Sequence, residues 1–191
     1  MARNWRIDDR ALQRDLARAA VVLQQGGIVA YATESCFGLG CNPKNRGAVM
    51  RLLRIKQRPA SKGLILIAAD TDQLAPFVAD FPRKALVTWP GPYTWLLKAT
   101  KAAPRWIRGQ HASIAVRVIR HRQAAALCRA ARMAIVSTSA NHAGEQPARS
   151  YDDVVQRFGE EVDYVLQGRV GRRKKPTPIA DGVSGKILRA G

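Results

Sequence analysis

Acidic residues are scarce in this chain: 14 Asp and Glu stand against 32 Lys and Arg among 191 residues, so the formal net charge is +18. A surface this positive attracts polyanions, which makes nucleic acids, nucleotides and anionic membranes the expected classes of partner. Hydrophobic residues nevertheless make up 47% of the chain. That fraction excludes intrinsic disorder and is sufficient for a core at this length.

Several sequence signals are also missing. No run of 18 apolar residues occurs, which excludes a transmembrane helix, and the charged first residues lack the apolar stretch of a signal peptide. The three cysteines, Cys36, Cys41 and Cys128, show no CxxC spacing, which disfavours a disulfide framework and a zinc site. Neither GxxxxGKS/T nor GxGxxG occurs, so a bound nucleotide would not use either common glycine loop. We therefore expect a reduced, cytoplasmic protein without a membrane partner.

Apolar residues recur with helical and with strand spacing in alternation along the chain. Helices are predicted near 9–25, with Asp8 or Asp9 as the cap, and near 46–56, 71–79, 82–88, 121–131 and 151–158. Strands are predicted at 28–31, 63–69, 93–98, 113–119, 134–137, 162–166 and 186–189. Such alternation is typical of an α/β fold. We expect a single domain over residues 1–191, built on a twisted mixed sheet with flanking helices.

Four short segments place hydroxyl, amide or cationic side chains at the end of an apolar strand or helix. They are Tyr31-Ala-Thr-Glu34, Lys56-Gln-Arg-Pro59, Ala115-Val-Arg117 and Ser137-Thr-Ser-Ala-Asn141. Lys56 and Arg58 both lie where a helix ends, so both can face one anionic group. Arg117 interrupts an apolar strand, where a charge must be paired or must face a cleft. Together the segments predict a concave basic cleft for a small polyanion.

Each of these features also has a purely structural explanation. Lys56 and Arg58 would complement a helix C-terminus, and Arg117 taken alone favours a structural ion pair. A Ser/Thr/Asn cluster after a strand is commonly a turn followed by a helix cap. The three histidines are scattered, which disfavours metal ligation, and Cys36 and Cys41 are typical of small core residues.

The combination of motifs is more specific than any one of them. Besides the four segments, Phe37-Gly-Leu-Gly40 and Trp89-Pro-Gly-Pro92 occur, and all six stand in an order that resembles the YrdC-like family over nearly the whole chain. The family's signatures are a YPTE-type strand end, a KxR motif and an SxN motif. The length resembles the short, single-domain bacterial form. The chain departs from the pattern at Ala32, where the family has proline, and at Pro178, which removes a backbone donor.

The resemblance implies an activity: L-threonine, bicarbonate and ATP, with Mg²⁺ bound to ATP, would yield threonylcarbamoyl-adenylate and pyrophosphate for the modification of tRNA adenosine 37. It also implies transient contact with the transferase complex that modifies the tRNA. By resemblance, Lys56 and Arg58 are catalytic, and Lys62 is a further candidate. The residues implied for threonine are Thr33, Arg117, Ser139 and Thr177. The residues implied for ATP are Lys56, Arg58, Ser113, Asn141, Arg149 and Arg189.

The net charge exceeds what an ATP pocket needs, and this leaves a second hypothesis open. The basic run at 169–175 would bind tRNA or another RNA in a binding module without catalysis. The same run would also serve as a lid, since Gly168 and Gly171 favour a hinge, or be a solvated loop. A third hypothesis, a carbamoyl phosphate substrate as in larger carbamoyltransferases, is disfavoured by the chain length.

Overall fold

A computed structural model describes residues 9–191. Its interior combines short apolar strands with the buried faces of helices and loops. The helices are α1 Asp9–Gln24, α2 Arg46–Ile55, α3 Arg83–Leu86, α4 Arg105–Arg108, α5 Arg122–Ala131 and α6 Tyr151–Phe158, with one 3-10 turn at Ala60–Lys62. The strands are β1 Val29–Ala32, β2 Phe37–Gly40, β3 Ile65–Ala68, β4 Thr94–Lys98, β5 Ser113–Val118, β6 Ile135–Ser139, β7 Tyr164–Val165, β8 Ile179–Asp181 and β9 Ile187–Arg189.

The strands pair into one mixed sheet in the order β7-β1-β2-β6-β3-β5-β4-β8-β9. Three pairs are parallel, namely β1 with β7, β3 with β5 and β4 with β8, and the other neighbours are antiparallel. The predicted mixed α/β sheet with flanking helices is therefore confirmed. Since most neighbours in the sheet are not consecutive in the chain, segments far apart in sequence end side by side.

Alternation along the strands separates two apolar layers. Val29, Tyr31 and Ile67 pack with α1 and α5 on one face of the sheet. Ala30 and Phe37 point to the opposite face, where α2 and α6 contribute to a larger core. None of the described helices is long and apolar enough to cross a membrane.

One predicted helix is wrong, and three elements were not predicted. Residues 72–77 form turns instead of the helix predicted at 71–79, because Pro76 lacks the N–H that a helix would bond to Asp72. The short elements β2, α4 and β8 were not predicted, since each is only three or four residues long. Of the two predicted caps of the first helix, Asp8 lies outside the described residues, and so does the side chain of Asp9.

Gly40 at the end of β2 provides a test of how closely this sheet is packed. A Cβ atom built on Gly40 would lie 2.5 Å from the carbonyl oxygen of Val136 and 2.8 Å from Cε1 of Tyr31. Gly40→Ala should therefore lower the free energy of unfolding by about 1–3 kcal/mol, measured by urea titration. In the control Gly47→Ala, the new Cβ in α2 meets nothing nearer than 3.4 Å. The free energy of unfolding of this variant should rise by about 0.5 kcal/mol. Equal stability of the two variants would contradict the packing argument.

Candidate functional site

A cavity of about 770 Å³ opens where the ends of several strands and their loops meet. This volume is within the range of small-molecule sites. Its walls come from the β1–β2 turn, the 3-10 turn, β4, β5, β6 and the chain after α6. Its polar lining includes Thr33, Ser35, Cys36, Arg58, Lys62, Thr94, Arg108, His111, Ser113, Arg117, Ser137, Thr138, Ser139, Gln146, Arg149, Lys174, Thr177 and Arg189.

The lining carries charge of one sign only. Seven of the lining residues are lysine or arginine, and within the described chain no Asp or Glu is among them. Partial burial and the positive charges of Arg117 and Arg58 lower the pKa of Arg189, so these three guanidinium groups are close enough to repel one another. Such a cavity is complementary to a polyanion, which would relieve the repulsion between the cations.

Arg117 on β5 is the deepest cation of the cavity, and only 6% of it is exposed. One Nη of its guanidinium lies 3.5 Å from the carboxylate of Glu34, while its Nε is buried without a hydrogen-bond partner in residues 9–191. The sequence required this charge to be paired or to face a cleft, and both conditions are met. The unpaired Nε–H is a donor that a bound acceptor would satisfy.

Lys56 connects the KxR segment to the SxN segment. It lies directly after α2, where Gln57 takes a left-handed conformation (φ 46°) and turns the chain away from the helix. Its buried ammonium donates to the main-chain oxygen of Ser139 at 2.8 Å, to Asn141 Oδ1 at 2.9 Å and to the main-chain oxygen of Asn141. Ser139 Oγ in turn donates to Asn141 Oδ1 at 2.6 Å. Lys56 therefore fixes the turn that carries Ser139 into the cavity.

Arg58 lies at the mouth of the cavity and is held by its own loop. Its Nε and one Nη donate to the carbonyl oxygen of Gly63 at 3.2 and 3.0 Å, across the 3-10 turn that carries Lys62. This pairing fixes the guanidinium without neutralising it, because the acceptor is a neutral carbonyl. Arg149 and Arg189 are held in the same way, by the carbonyl oxygens of Arg173 and Thr177.

Hydroxyl groups line the more buried part of the cavity. Thr33 Oγ1 donates to the carbonyl oxygen of Cys36 at 2.8 Å, and Thr177 Oγ1 lies 3.5 Å from Thr94 Oγ1. Thr33, Thr94 and Thr177 are all buried. The departure at Pro178 does not displace the neighbouring hydroxyl of Thr177, since the carbonyl of Pro178 accepts from the Thr94 amide and extends the pairing of β8 with β4.

Most of the predicted site residues meet in this cavity. Those that line it are Thr33, Arg58, Lys62, Ser113, Arg117, Ser139, Arg149, Thr177 and Arg189. Lys56 and Asn141 are not among the lining side chains and lie behind Ser139, bonded to each other. Sequence reasoning missed Cys36, Thr94, Arg108 and His111, and it treated Cys36 as a core residue. Only their positions at the ends of short elements could have indicated them.

The chain from Gln167 to Pro176, which we call the strap, crosses the β1–β2 turn and includes the basic run. Gly171 N donates to the carbonyl oxygen of Thr33 at 2.9 Å, and Arg173 N donates to that of Glu34 at 3.1 Å. At the start of α5, His121 Nε2 lies 3.0 Å from the carbonyl oxygen of Arg169. These contacts tie the backbone of the run to the cavity wall, which argues against the solvated-loop interpretation.

The environment of Lys56 leads to a prediction about pH. Burial, followed by the positive charge of Arg58, lowers the pKa of Lys56 to about 8, whereas the ordinary value is about 10.4. Between these two pH values the unfolded chain binds more protons at this position than the folded chain. The contribution of Lys56 to stability should therefore rise from pH 8 to pH 10.5, by at most about 1.4 kcal/mol per pH unit.

The measurement is the free energy of unfolding of the wild type minus that of Lys56→Met at each pH. Titrating groups that do not interact with Lys56 cancel in this difference. A difference that stays constant from pH 8 to pH 10.5 would mean that the ammonium keeps its ordinary pKa.

Comparisons with known proteins agree with the motifs. The family model Sua5/YciO/YrdC, described as telomere recombination, matches residues 21–191. A threonylcarbamoyl-AMP synthase of Halorhodospira halophila is 51% identical over 175 residues, covering 90% of this chain and 92% of that protein. The corresponding protein of Xanthomonas axonopodis pv. citri is 49% identical over 181 residues, covering 92% and 97%.

Solved structures are similar over the same region. P. abyssi Sua5 complexed with L-threonine superimposes with a TM-score of 0.86 at 29% identity, covering 96% of this chain and 55% of that one. E. coli YciO gives a TM-score of 0.82 at 28% identity, covering 94% and 90%. The chain thus spans a little over half the length of the P. abyssi protein and nearly all of its bacterial relatives. It belongs to the Sua5/YciO/YrdC family.

Proposed function

We propose that this protein is a threonylcarbamoyl-AMP synthase, which forms threonylcarbamoyl-adenylate and pyrophosphate from L-threonine, bicarbonate and ATP. The product would serve the N6-threonylcarbamoyl modification of adenosine 37 in tRNA. The names of the bacterial relatives and the threonine complex of P. abyssi Sua5 support the assignment. The observation that carries it is the cavity itself, where seven cations and a set of hydroxyl groups meet without a lining carboxylate among the described residues.

The two ends of the cavity suit two substrates of different size. Thr33, Arg117 and Thr177 are buried, so this end would hold the smaller ligand, with Arg117 on the threonine carboxylate and the hydroxyls on its side chain. Ser139 would complete this end. Arg58, Arg149 and Arg189 are exposed at the open end, where the triphosphate of ATP would gain the most from them. Ser113 and Lys62 would add donors there, and Asn141 would act through Ser139.

Mg²⁺ would enter with ATP as part of the substrate. Within residues 9–191 no group of three or more His, Cys, Asp or Glu side chains could hold a metal ion, and no carboxylate lines the cavity. This lining fits an ion that is held by phosphate oxygens and water, which is the ordinary mode for Mg²⁺ on nucleotides. The arginines would then neutralise the negative charge of the triphosphate that Mg²⁺ does not compensate.

The reaction would proceed in two steps. The threonine amine first attacks bicarbonate, forming a carbamate and releasing water. A carbamate oxygen then attacks the α-phosphorus of ATP, and the bond to the β-phosphate bridging oxygen breaks, so that pyrophosphate leaves. In such transfers the protein acts mainly by positioning and by stabilising charge. Here Arg58 would bind the phosphates directly, while Lys56 would hold Ser139 in place.

Omission of single substrates tests the assignment. With purified protein, Mg²⁺, ATP, bicarbonate and L-threonine, pyrophosphate should be released only when all components are present. Arg58→Ala should lower kcat/KM for ATP by about 10- to 100-fold, the equivalent of one charge-assisted hydrogen bond. Arg54→Ala is the matched control, because Arg54 is equally cationic and exposed but lies outside the cavity. Pyrophosphate release without threonine and bicarbonate would refute the reaction.

We also propose that the strap binds tRNA beside the cavity. Arg172, Lys174 and Lys175 are exposed on a backbone that is held against the cavity wall. A fixed row of cations can follow a phosphate backbone, and the product is destined for tRNA. Because the adenylate is a mixed anhydride that water hydrolyses, transient contact with the tRNA-modifying transferase would also be favourable.

Salt titration of tRNA binding tests this second proposal. Arg172→Ala combined with Lys175→Ala should weaken binding and lower the slope of log K against log salt concentration by about 2, roughly 0.9 for each lost phosphate contact. The control combines Arg54→Ala with Arg129→Ala, which removes the same charge from α2 and α5. Equal losses in both double variants would show a general charge effect and contradict a site on the strap.

A further inference from the structure

Glu34 is a carboxylate directly behind the cavity wall. It does not line the cavity, and only 15% of its side chain is exposed. One carboxylate oxygen, Oε1, accepts from the backbone amides of Arg120 and His121 at 3.1 and 3.3 Å. The other, Oε2, lies 3.5 Å from Arg117 Nη2 and has no hydrogen-bond partner within the part of the chain that the structure describes. Oε1 therefore bonds to the β5–α5 turn, whereas Oε2 faces Arg117.

Arg117 differs from the other cavity cations in this pairing. Among the described residues that line the cavity, it is the one cation in an ion pair with a carboxylate. The pair is not closed, since 3.5 Å is longer than the roughly 2.8 Å of a charge-assisted hydrogen bond. Arg117 Nε and Glu34 Oε2 are both buried without a hydrogen-bond partner among the described residues, and a buried polar group without a partner is costly. A bound carboxylate would supply the acceptor that Nε lacks.

The main chain of Glu34 also forms a hydrogen bond with the strap. Its carbonyl oxygen accepts from Arg173 N at 3.1 Å. A Cβ atom on Gly171 would lie 2.7 Å from the same oxygen, so only glycine lets the strap approach this closely. Glu34 thus joins three parts of the wall: the guanidinium of Arg117, the start of α5 and the strap.

We propose that Glu34 is a positioning residue that holds the Arg117 guanidinium in the orientation required by the threonine carboxylate. This inference rests on the proposed function, because it takes threonine as the ligand of Arg117. The Glu34 carboxylate faces the Arg117 guanidinium with Oε2 and orients it by charge. With Oε1 it accepts hydrogen bonds from two neutral backbone amides and so supports the surrounding backbone. The two roles are separable, since an amide oxygen accepts the same backbone N–H groups without carrying the charge.

Glu34→Gln separates the two roles. The variant keeps an acceptor for Arg120 N and His121 N and removes the charge beside Arg117. We expect its KM for threonine in the pyrophosphate assay, and its Kd for threonine by calorimetry, to rise about tenfold. The KM for ATP should stay within about twofold, because Arg58 and Arg149 at the open end are not touched. Glu160→Gln, an exposed glutamate outside the cavity, is the matched control and should behave as the wild type.

Hydrogen exchange provides the structural readout. The amides of Arg120, His121, Gly171 and Arg173 should exchange as slowly in Glu34→Gln as in the wild type, whereas Glu34→Ala should expose those of Arg120 and His121. Unchanged threonine KM and Kd in Glu34→Gln would overturn the proposal while the active wild type upholds the proposed function. Faster exchange together with equal rises in both KM values would show a purely structural role and would also overturn it. A wild type without threonine-dependent pyrophosphate release would overturn both.

Discussion

Repulsion between like charges is the constraint on which the site depends. Most of the cations in and behind the cavity wall are held by neutral carbonyl oxygens, which fix a guanidinium or ammonium group without neutralising it. This is true of Arg58, Arg108, Arg149, Arg189 and Lys56. Carboxylate partners would have lowered the positive potential and competed with an anionic ligand. The positive field therefore remains available to an anionic ligand, at the cost of repulsion between the cations.

The order of the strands makes this arrangement achievable. β6 lies between β2 and β3, so the Ser139 end of β6 comes beside the β1–β2 turn, which carries Thr33 and Glu34. β5 and β4 continue the sheet, and β8 brings Thr177 next to Thr94. Among the described strands, none contributes more than three polar side chains to the lining. The cavity is thus a product of strand order, and no contiguous segment of the chain contains it.

Two types of acceptor contact the cations of the cavity wall. Carbonyl oxygens hold the cations of the open end, where we place the triphosphate, and a carboxylate faces Arg117, where we place threonine. A carboxylate also attracts a guanidinium by charge, which a neutral carbonyl oxygen does not do. Orientation matters more for the small ligand, which makes few contacts, than for a triphosphate that several cations surround.

The sequence by itself determined the alternation of helices and strands, the residue types of the KxR and SxN motifs, and the requirement that Arg117 be paired or face a cleft. It also contained Pro76, which excludes the helix predicted across it. Only the tertiary structure decided that Lys56 lies behind Ser139, that Cys36 and Thr94 line the cavity, and that the strap is bonded to the β1–β2 turn. The reason is physical: Lys56 and the strap bond largely to main-chain oxygens, which every residue carries, so no side-chain pattern in the sequence encodes these contacts. The lining positions of Cys36 and Thr94 follow from the order of the strands.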